Sequence, residues 1–293
     1  MKLDFDVRDE KRIRVIIDTD TACEADDPFA VAHAVLSPKL MVRAIIAEHF
    51  GREGTMEASY QAIHRLMDAM HRKENVLQGE EYPLDDGREM SEGVRFIIEE
   101  ARREDPHPLF VLCLGALSNM ARALKEAPDI AGRLTIVCIG GHSYEITEAP
   151  FREFNFGNDV EAANAVLDSK AEVWQIPSNV YGSVWIGLAE LQRRVKPCGD
   201  AGRYLVAQMI AYNQTDAAAW TNGESWTLGD NPSVAVVIDE SSGVSQWESA
   251  WLIDANTNYV QELPERKIRI FHTMNSHFVL EDLFAKLLLN FGA

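Results

Sequence analysis

The chain has 293 residues, of which 46% are hydrophobic and 25% are charged. Its formal net charge of -18 disfavours attraction to phosphate backbones and anionic lipid, so we expect neither nucleic acid nor a membrane as a partner. The N-terminal segment lacks the apolar core of a signal peptide, and no apolar stretch reaches the roughly eighteen residues of a membrane span. We therefore expect a cytoplasmic protein that binds a small molecule.

Short apolar runs rich in β-branched residues alternate with amphipathic stretches, and this alternation predicts an α/β fold. The expected architecture is an open, Rossmann-like, mostly parallel sheet with helices on both faces, in one domain over residues 1–293. The pattern predicts strands at 14–17, 42–47, 109–113, 134–139 and 172–175. It predicts helices at 27–36, 56–70, 91–103, 118–126 and 159–167.

The last part of the chain differs in composition. Residues 212–230 are rich in Trp, Asn, Gly and Thr, which predicts loops. A helix is predicted at 232–239, and an antiparallel segment with Trp251 and Tyr259 follows it. We expect a small C-terminal add-on to the main sheet here.

Five acidic residues lie within ten positions directly after the first predicted strand, where residues 15–30 read VIIDTDTACEADDPFA. Ligands of open α/β sheets bind at the carboxyl ends of strands, so this segment is the first candidate site. Crowded carboxylates repel one another unless a cation neutralises them, and hard oxygen ligands select Mg²⁺ or Ca²⁺. Helix capping, the simpler explanation, uses one or two acids rather than five.

Two other acidic motifs can be compared with this segment. An EF-hand is excluded, because its sixth and twelfth positions, counted from Asp18, are Cys23 and Phe29 instead of Gly and Glu. A haloacid-dehalogenase-type phosphatase also has a DxD after an apolar strand, with Asp18 as nucleophile and Asp20 as acid. Ala22 stands where that family has Thr or Val. This phosphohydrolase is the less favoured alternative.

Four segments, in chain order, resemble the inosine–uridine-preferring nucleoside hydrolase family. Residues 18–27 resemble its DxDxxxDD motif, with five instead of three residues between the second and third acids. LGALSN at 114–119 resembles its GPLTN turn. GG at 140–141 with REFN at 152–155 and DVEAA at 159–163 is the third match, and GDNP at 229–232 is the fourth. Each motif alone is weak evidence, so the resemblance depends on finding all four in the same order as in the family.

The resemblance implies a metal-dependent hydrolase that cleaves the N-glycosidic bond of a ribonucleoside or related riboside. It implies one Ca²⁺ per subunit as the cofactor. The implied metal ligands are Asp20, Asp27, the backbone carbonyl of Ser118, and Asp230. Asp26 matches the third acid of the motif and would be the catalytic base for the attacking water.

The resemblance and the sequence neighbourhood together suggest which residues contact substrate. The predicted contacts are Glu153, Asn155, Asp20, Asp230, His49 and Trp226. Glu153 and Asn155 match the residues that bind ribose hydroxyls in the family. His49 follows a predicted strand, and Trp226 lies in the aromatic segment before Asp230, so both are candidates for the pocket of the leaving group.

Three positions depart from the family pattern. Gly229 stands where many members have a His that protonates the leaving base, Thr147 replaces an Asn, and Glu48-His49-Phe50-Gly51 replaces the GN after the second strand. These departures keep the metal and sugar contacts and alter the base pocket. The sequence therefore leaves the leaving group open.

A second hypothesis is a non-catalytic ribose- or nucleoside-binding protein of the same fold. The retained Asp26 favours an enzyme, because a binding protein needs metal ligands but no base. The expected partner is a nucleoside or riboside, and the expected assembly is a homodimer or homotetramer.

Overall fold

The computed structural model describes residues 3–85, 87–146 and 148–292, so Thr147 lies outside the described residues. The strands are β1 (Ile13–Thr19), β2 (Leu40–Ala47), β3 (Val76–Gln78), β4 (Leu109–Cys113), β5 (Thr135–Ile139), β6 (Glu172–Ile176), β7 (Trp185–Gly187), β8 (Ser225–Thr227), β9 (Gly243–Ile253) and β10 (Tyr259–Met274). The helices are α1 (Asp27–Val35), α2 (Thr55–Ala69), α3 (Glu92–Arg102), α4 (Ser118–Glu126), α5 (Phe154–Asn158), α6 (Val160–Leu167), α7 (Ser178–Tyr181), α8 (Leu188–Arg194), α9 (Gly199–Tyr212), α10 (Asn231–Ile238) and α11 (Ser276–Phe291).

One eight-stranded sheet, in the order β3-β2-β1-β4-β5-β6-β10-β9, organises the molecule. Neighbouring strands from β3 to β10 are parallel, and only β9 runs antiparallel to β10 among the described strands of this sheet. The sheet grows to one side of β1 through β2 and to the other through β4. Ligands of doubly wound folds bind in the crevice at such a switch point, outside the carboxyl ends of the strands.

Helices cover both faces of the sheet, as the sequence predicts. Val15 and Ile17 on β1 point into one core, which α1, α2, α9 and α11 cover. Ile16 points into the other core, beneath α3, α4 and α6. This alternation is the period of two of a strand buried on both faces, and it explains why β1 reads as a continuous apolar run. None of the described helices is both long and apolar enough to cross a membrane.

The predicted α/β class is confirmed, and the five predicted strands and five predicted helices are present with ends within two residues. The C-terminal antiparallel segment is present as β9 and β10. It extends the main sheet, because Arg269 and Ile270 on β10 pair with Trp174 and Gln175 on β6. The short pair β7–β8 and the helix α11 had no counterpart in the sequence prediction.

Candidate active site

Two helices begin at the carboxyl edge of the sheet with the same Asp-X-Pro sequence. Asp26 precedes α1 and Asp230 precedes α10, and Pro28 and Pro232 lie in the first turns. Proline is tolerated there because the first helical N–H groups have no partner within the helix. Carboxylate oxygens of Asp26, Asp27 and Asp230 thereby lie within 4.8 Å of one another, as a group that could hold a metal ion.

Asp20 reaches the same place from the end of β1. Gly115, after β4, allows this, because a Cβ atom at position 115 would lie 2.7 Å from Cγ of Asp20. Oδ2 of Asp20 is buried and has no hydrogen-bond partner. Buried polar atoms are rarely left unpaired, and a divalent cation would satisfy this oxygen. The residues present therefore fit a hard cation held by oxygen ligands.

The electrostatics of this cluster favour the same conclusion. Burial raises the pKa of Asp20 and Asp230 well above the ordinary range, and the charge of Asp27 raises it further. Burial likewise raises the pKa of Asp26, together with the charges of Glu24 and Asp27. A bound cation would favour the ionised carboxylates and oppose these shifts.

A cleft of about 410 Å³, open to solvent, surrounds the cluster. Its lining residues are Asp20, Cys23, Glu24, Asp26, Asp27, Leu114, Ile139, Glu153, Phe154, Asn155, Tyr181, Gly229 and Asp230. The structure thus brings six sequence-predicted site residues together: Asp20, Asp26, Asp27, Glu153, Asn155 and Asp230. Ser118, His49 and Trp226 are not among the described residues that line it.

Glu153 and Asn155 border the cleft with their side chains already engaged. Glu153 caps α5, and its carboxylate accepts hydrogen bonds from the N–H groups of Gly141, Asn155 and Phe156 at 2.9 to 3.2 Å. Nδ2 of Asn155 donates to the carbonyls that follow β4 and end β5, at 2.7 and 3.0 Å. Both residues therefore fix the backbone of the cleft as well as border it.

Ser118 and His49 lie together behind the cleft and are fully buried. Nε2 of His49 lies 2.8 Å from Oγ of Ser118, and this hydroxyl donates to Asp159 at 2.7 Å. Burial lowers the pKa of His49 to about 4. The imidazole is enclosed in this network and does not line the cleft, and its contact with substrate stays a prediction.

Trp226 is a core residue on β8 with 1% of its surface exposed. Its indole packs edge-on against Tyr212 and Trp220, with ring centres 5.6 and 5.2 Å apart. Trp226 does not line the cleft, and the stacking of a base on this ring stays a prediction. Sequence alone could not separate the two outcomes, because a large aromatic ring suits a core and a base pocket equally well.

Among the lining residues with polar or aromatic side chains, four received no role from the sequence: Cys23, Glu24, Phe154 and Tyr181. Cys23 and Glu24 lie in the acidic loop, whose two extra residues were a signal that its inner surface is rebuilt. Burial raises the pKa of Glu24 to about 7, with the charges of Asp27 and Glu153 adding to it. The hydroxyl of Tyr181 donates to Glu153 at 3.2 Å, a long-range contact that no local sequence signal announced.

Asp18, the nucleophile of the phosphatase alternative, is fully buried and does not line the cleft. Its Oδ1 accepts a hydrogen bond from Nδ2 of Asn119 at 2.8 Å. A phosphoryl group in the cleft could not reach this carboxylate. The described lining residues also include no Lys, Arg or His to bind phosphate.

Comparisons with known proteins identify the family of this chain. The family described as inosine-uridine preferring nucleoside hydrolase matches residues 15–270. The chain belongs to this family. Uridine nucleosidase 1 of Arabidopsis thaliana is 26% identical over 197 residues, which is 58% of this chain and 57% of that relative. The chain thus aligns with little more than half the length of this curated nucleosidase.

Solved structures of the family share the fold. The purine-preferring ribonucleoside hydrolase from Gardnerella vaginalis superposes with a TM-score of 0.77 at 20% identity, covering 94% of this chain and 99% of that one. An inosine-guanosine nucleoside hydrolase gives a TM-score of 0.76 at 20% identity, covering 96% and 100%. The sequence-based resemblance to the nucleoside hydrolase family is therefore confirmed.

Proposed function

We propose that this protein is a metal-dependent hydrolase that cleaves the N-glycosidic bond of a ribonucleoside or related riboside. The observation that carries the proposal is the buried group of Asp26, Asp27 and Asp230 in a cleft at the switch point of a nucleoside hydrolase fold. The sequence relatives of this chain include proteins named uridine nucleosidases and non-specific ribonucleoside hydrolases.

Calcium is the proposed metal, one ion per subunit, with Asp20, Asp27, the Ser118 carbonyl and Asp230 as ligands. The unpaired Oδ2 of Asp20 and the all-oxygen side chains support a hard cation. An ion held by the carboxylates of the cleft would lower the pKa of a water molecule bound to it. The assignment of the Ser118 carbonyl as a ligand is supported only by the sequence motif, because Ser118 does not line the cleft.

Asp26 is the proposed catalytic base. The N–H of Gly229 donates to its Oδ2 at 2.8 Å and so holds the carboxylate beside Asp27 and Asp230. A carboxylate fixed in this way can accept a proton from water without first reorienting. Its environment also disfavours the charged form, which makes the ionised group a stronger proton acceptor.

The remaining lining residues would orient the sugar. Glu153 and Asn155 border the cleft and are the proposed contacts of the ribose hydroxyls. Cleavage of an N-riboside passes through an oxocarbenium-like ribosyl cation. The surrounding carboxylates would stabilise this developing positive charge.

Release of ribose from p-nitrophenyl riboside, inosine and uridine tests the proposal, with Ca²⁺ and after exhaustive chelation. We expect hydrolysis that requires the ion. Asp26→Asn should bind ligand but lose about two to four orders of magnitude in kcat. Asp168→Asn is the matched control, since Asp168 is exposed after α6 and outside the cleft.

The non-catalytic binding protein is the alternative outcome of this experiment. Ribose or nucleoside binding without release of sugar from any of the three substrates would support it and overturn the enzyme. Normal turnover by Asp26→Asn would instead leave the enzyme standing and assign the base to another carboxylate, with Asp20 next to be tested.

The domain organisation, the oligomeric state and the cellular location are also proposed from the sequence. A single domain is supported because β1 and β10, which lie near opposite ends of the chain, belong to one sheet. The homodimer or homotetramer and the cytoplasmic location stay predictions. Size-exclusion chromatography with light scattering measures the first, and fractionation of the source cells measures the second.

A further inference from the structure

The charged side chains that line the cleft are all acidic. Six carboxylates line it, from Asp20, Glu24, Asp26, Asp27, Glu153 and Asp230, and none of the described lining residues is a Lys, Arg or His. One divalent cation would neutralise two of these charges. The remaining field disfavours a phosphorylated ligand and attracts a positively charged one.

The described lining residues include no His that could protonate a leaving base. Gly229 has no side chain, and its N–H is already directed at Asp26. The hydroxyl of Tyr181 donates to Glu153. A neutral nucleoside base leaves poorly as an anion and needs such a proton, whereas a base that is cationic while attached to ribose leaves as a neutral molecule.

Two aromatic rings in the cleft suit a flat cation. Phe154 and Tyr181 both line it, and Phe154 keeps 40% of its surface exposed. A cationic ring near an aromatic face is attracted by the negative charge of that face. Glu24, on the acidic loop of the same cleft, adds a carboxylate that belongs neither to the proposed metal ligands nor to the N-cap of α1, which is Asp26.

We propose that the substrates are N-ribosides whose leaving group carries a positive charge, such as pyridinium ribosides, and that Glu24 recognises this charge. The inference rests on the proposed riboside hydrolase activity. The bond between C1′ and the ring nitrogen breaks, and its electron pair stays on nitrogen to give a neutral pyridine. The water oxygen bonds to C1′, and Asp26 takes the proton. The products are ribose, the pyridine and one proton.

Steady-state kinetics on three classes of riboside tests this substrate class. The cationic probe is the riboside of 3-carbamoylpyridinium, p-nitrophenyl riboside is the neutral probe with a good leaving group, and uridine is the neutral nucleoside. We expect kcat/KM for the pyridinium riboside to exceed that for uridine by about a hundredfold or more, the size of one proton-transfer contribution. Its KM should rise with ionic strength, while that of p-nitrophenyl riboside should not.

Glu24→Gln separates recognition of charge from acid catalysis. We expect the ratio of kcat/KM for the pyridinium riboside to that for p-nitrophenyl riboside to fall at least tenfold. Glu161→Gln, exposed on α6 and outside the cleft, should keep this ratio. If Glu24→Gln slows uridine and spares the pyridinium riboside, Glu24 is an acid for neutral bases and the inference is overturned.

The outcomes distinguish this inference from the function on which it rests. Hydrolysis of p-nitrophenyl riboside without preference for the pyridinium riboside over uridine would overturn the inference and keep the hydrolase. A protein that cleaves none of the three ribosides would overturn both.

Discussion

Gly229 occupies the position of the family's leaving-group histidine, and a side chain there would be tightly packed against two residues of the cleft. A Cβ atom at this position would lie 3.3 Å from Oδ2 of Asp26 and 3.3 Å from Cδ2 of Tyr181. Both groups line the cleft, so a larger residue requires Asp26 or Tyr181 to shift by a few tenths of an ångström. The glycine is therefore part of how Asp26 is placed.

Gly229→His should accordingly reduce activity. We expect lower kcat/KM for p-nitrophenyl riboside and no gain for inosine, because the added imidazole displaces Asp26 before it can donate a proton. Parallel kinetics on both substrates measure this, with Gly229→Ala reporting the effect of the Cβ atom alone. A gain for inosine with unchanged hydrolysis of the p-nitrophenyl compound would contradict the crowding argument.

Glu153 combines the proposed sugar contact with a structural role. Its carboxylate accepts three backbone N–H groups and the hydroxyl of Tyr181. Glu153→Ala should lower both stability and kcat, since each buried donor left unpaired costs about 1 to 3 kcal/mol. Glu153→Gln keeps most acceptor positions and should recover much of the stability. Denaturant unfolding and ribose-release kinetics give the two readouts, and full stability of Glu153→Ala would refute the capping role.

The acidic residues of the site were predictable, and its aromatic residues were not. Asp20, Asp26, Asp27 and Asp230 carry their own signal, because crowded carboxylates need a cation. Trp226 was assigned to substrate but is buried, whereas Tyr181 had no signal but lines the cleft. Whether an aromatic ring faces a core or a ligand depends on contacts between distant segments.

At the scale of elements, the start of α4 depends on the turn that follows β2. Glu48 accepts the N–H of Asn119 at 3.1 Å, and His49 contacts Ser118. The GN pair of the family is thus replaced here by two residues that reach the GPLTN-like turn. This gives Glu48 and His49 a positioning role that the sequence did not suggest.

His49→Ala should therefore weaken metal binding as well as folding. Removing the imidazole leaves the Ser118 hydroxyl with one partner fewer and opens a buried cavity, which we expect to cost about 2 to 5 kcal/mol of stability. The Ca²⁺ dissociation constant should rise, since the turn that bears Ser118 is loosened. Calorimetric titration at a temperature where the variant is folded measures this, with His277→Ala, exposed on α11, as control. Unchanged affinity for Ca²⁺ would limit His49 to folding.

The central strands were predictable because each is a buried apolar run with a clear end. The C-terminal elements were harder, since β10 joins β6 across almost a hundred residues of sequence and only two residue pairs are registered between them. The local hydrophobic periodicity identified the C-terminal strands but could not show which strand of the sheet β10 pairs with. The pairing of β7 with β8 has the same long-range character.

For the whole molecule, metal binding, acidity and stability are linked, and the link predicts how pH acts. Burial raises the pKa of Asp18 and of Glu24 to about 7, whereas unfolded Asp and Glu titrate near 4. Between about pH 4 and 7 the folded, metal-free protein binds more protons than the unfolded chain. Its stability from these groups is therefore complete below about pH 4 and is lost as the pH rises through 7.

Burial also raises the pKa of the proposed ligands Asp20, Asp27 and Asp230, and calcium should oppose the resulting loss of stability because it binds their ionised carboxylates in the folded protein. We expect the difference in melting temperature between Ca²⁺-loaded and chelated protein to be small at pH 5 and to grow up to pH 8. Burial also lowers the pKa of His33, and this shift changes the stability of the protein below about pH 6.5. The change is the same in the Ca²⁺-loaded and chelated samples, so it cancels in the difference between their melting temperatures. Scanning calorimetry in matched buffers provides the measurement, with Mg²⁺ as a second ion. A difference that is independent of pH would show that the buried acids do not govern metal binding, and no difference at any pH would remove the metal from the site.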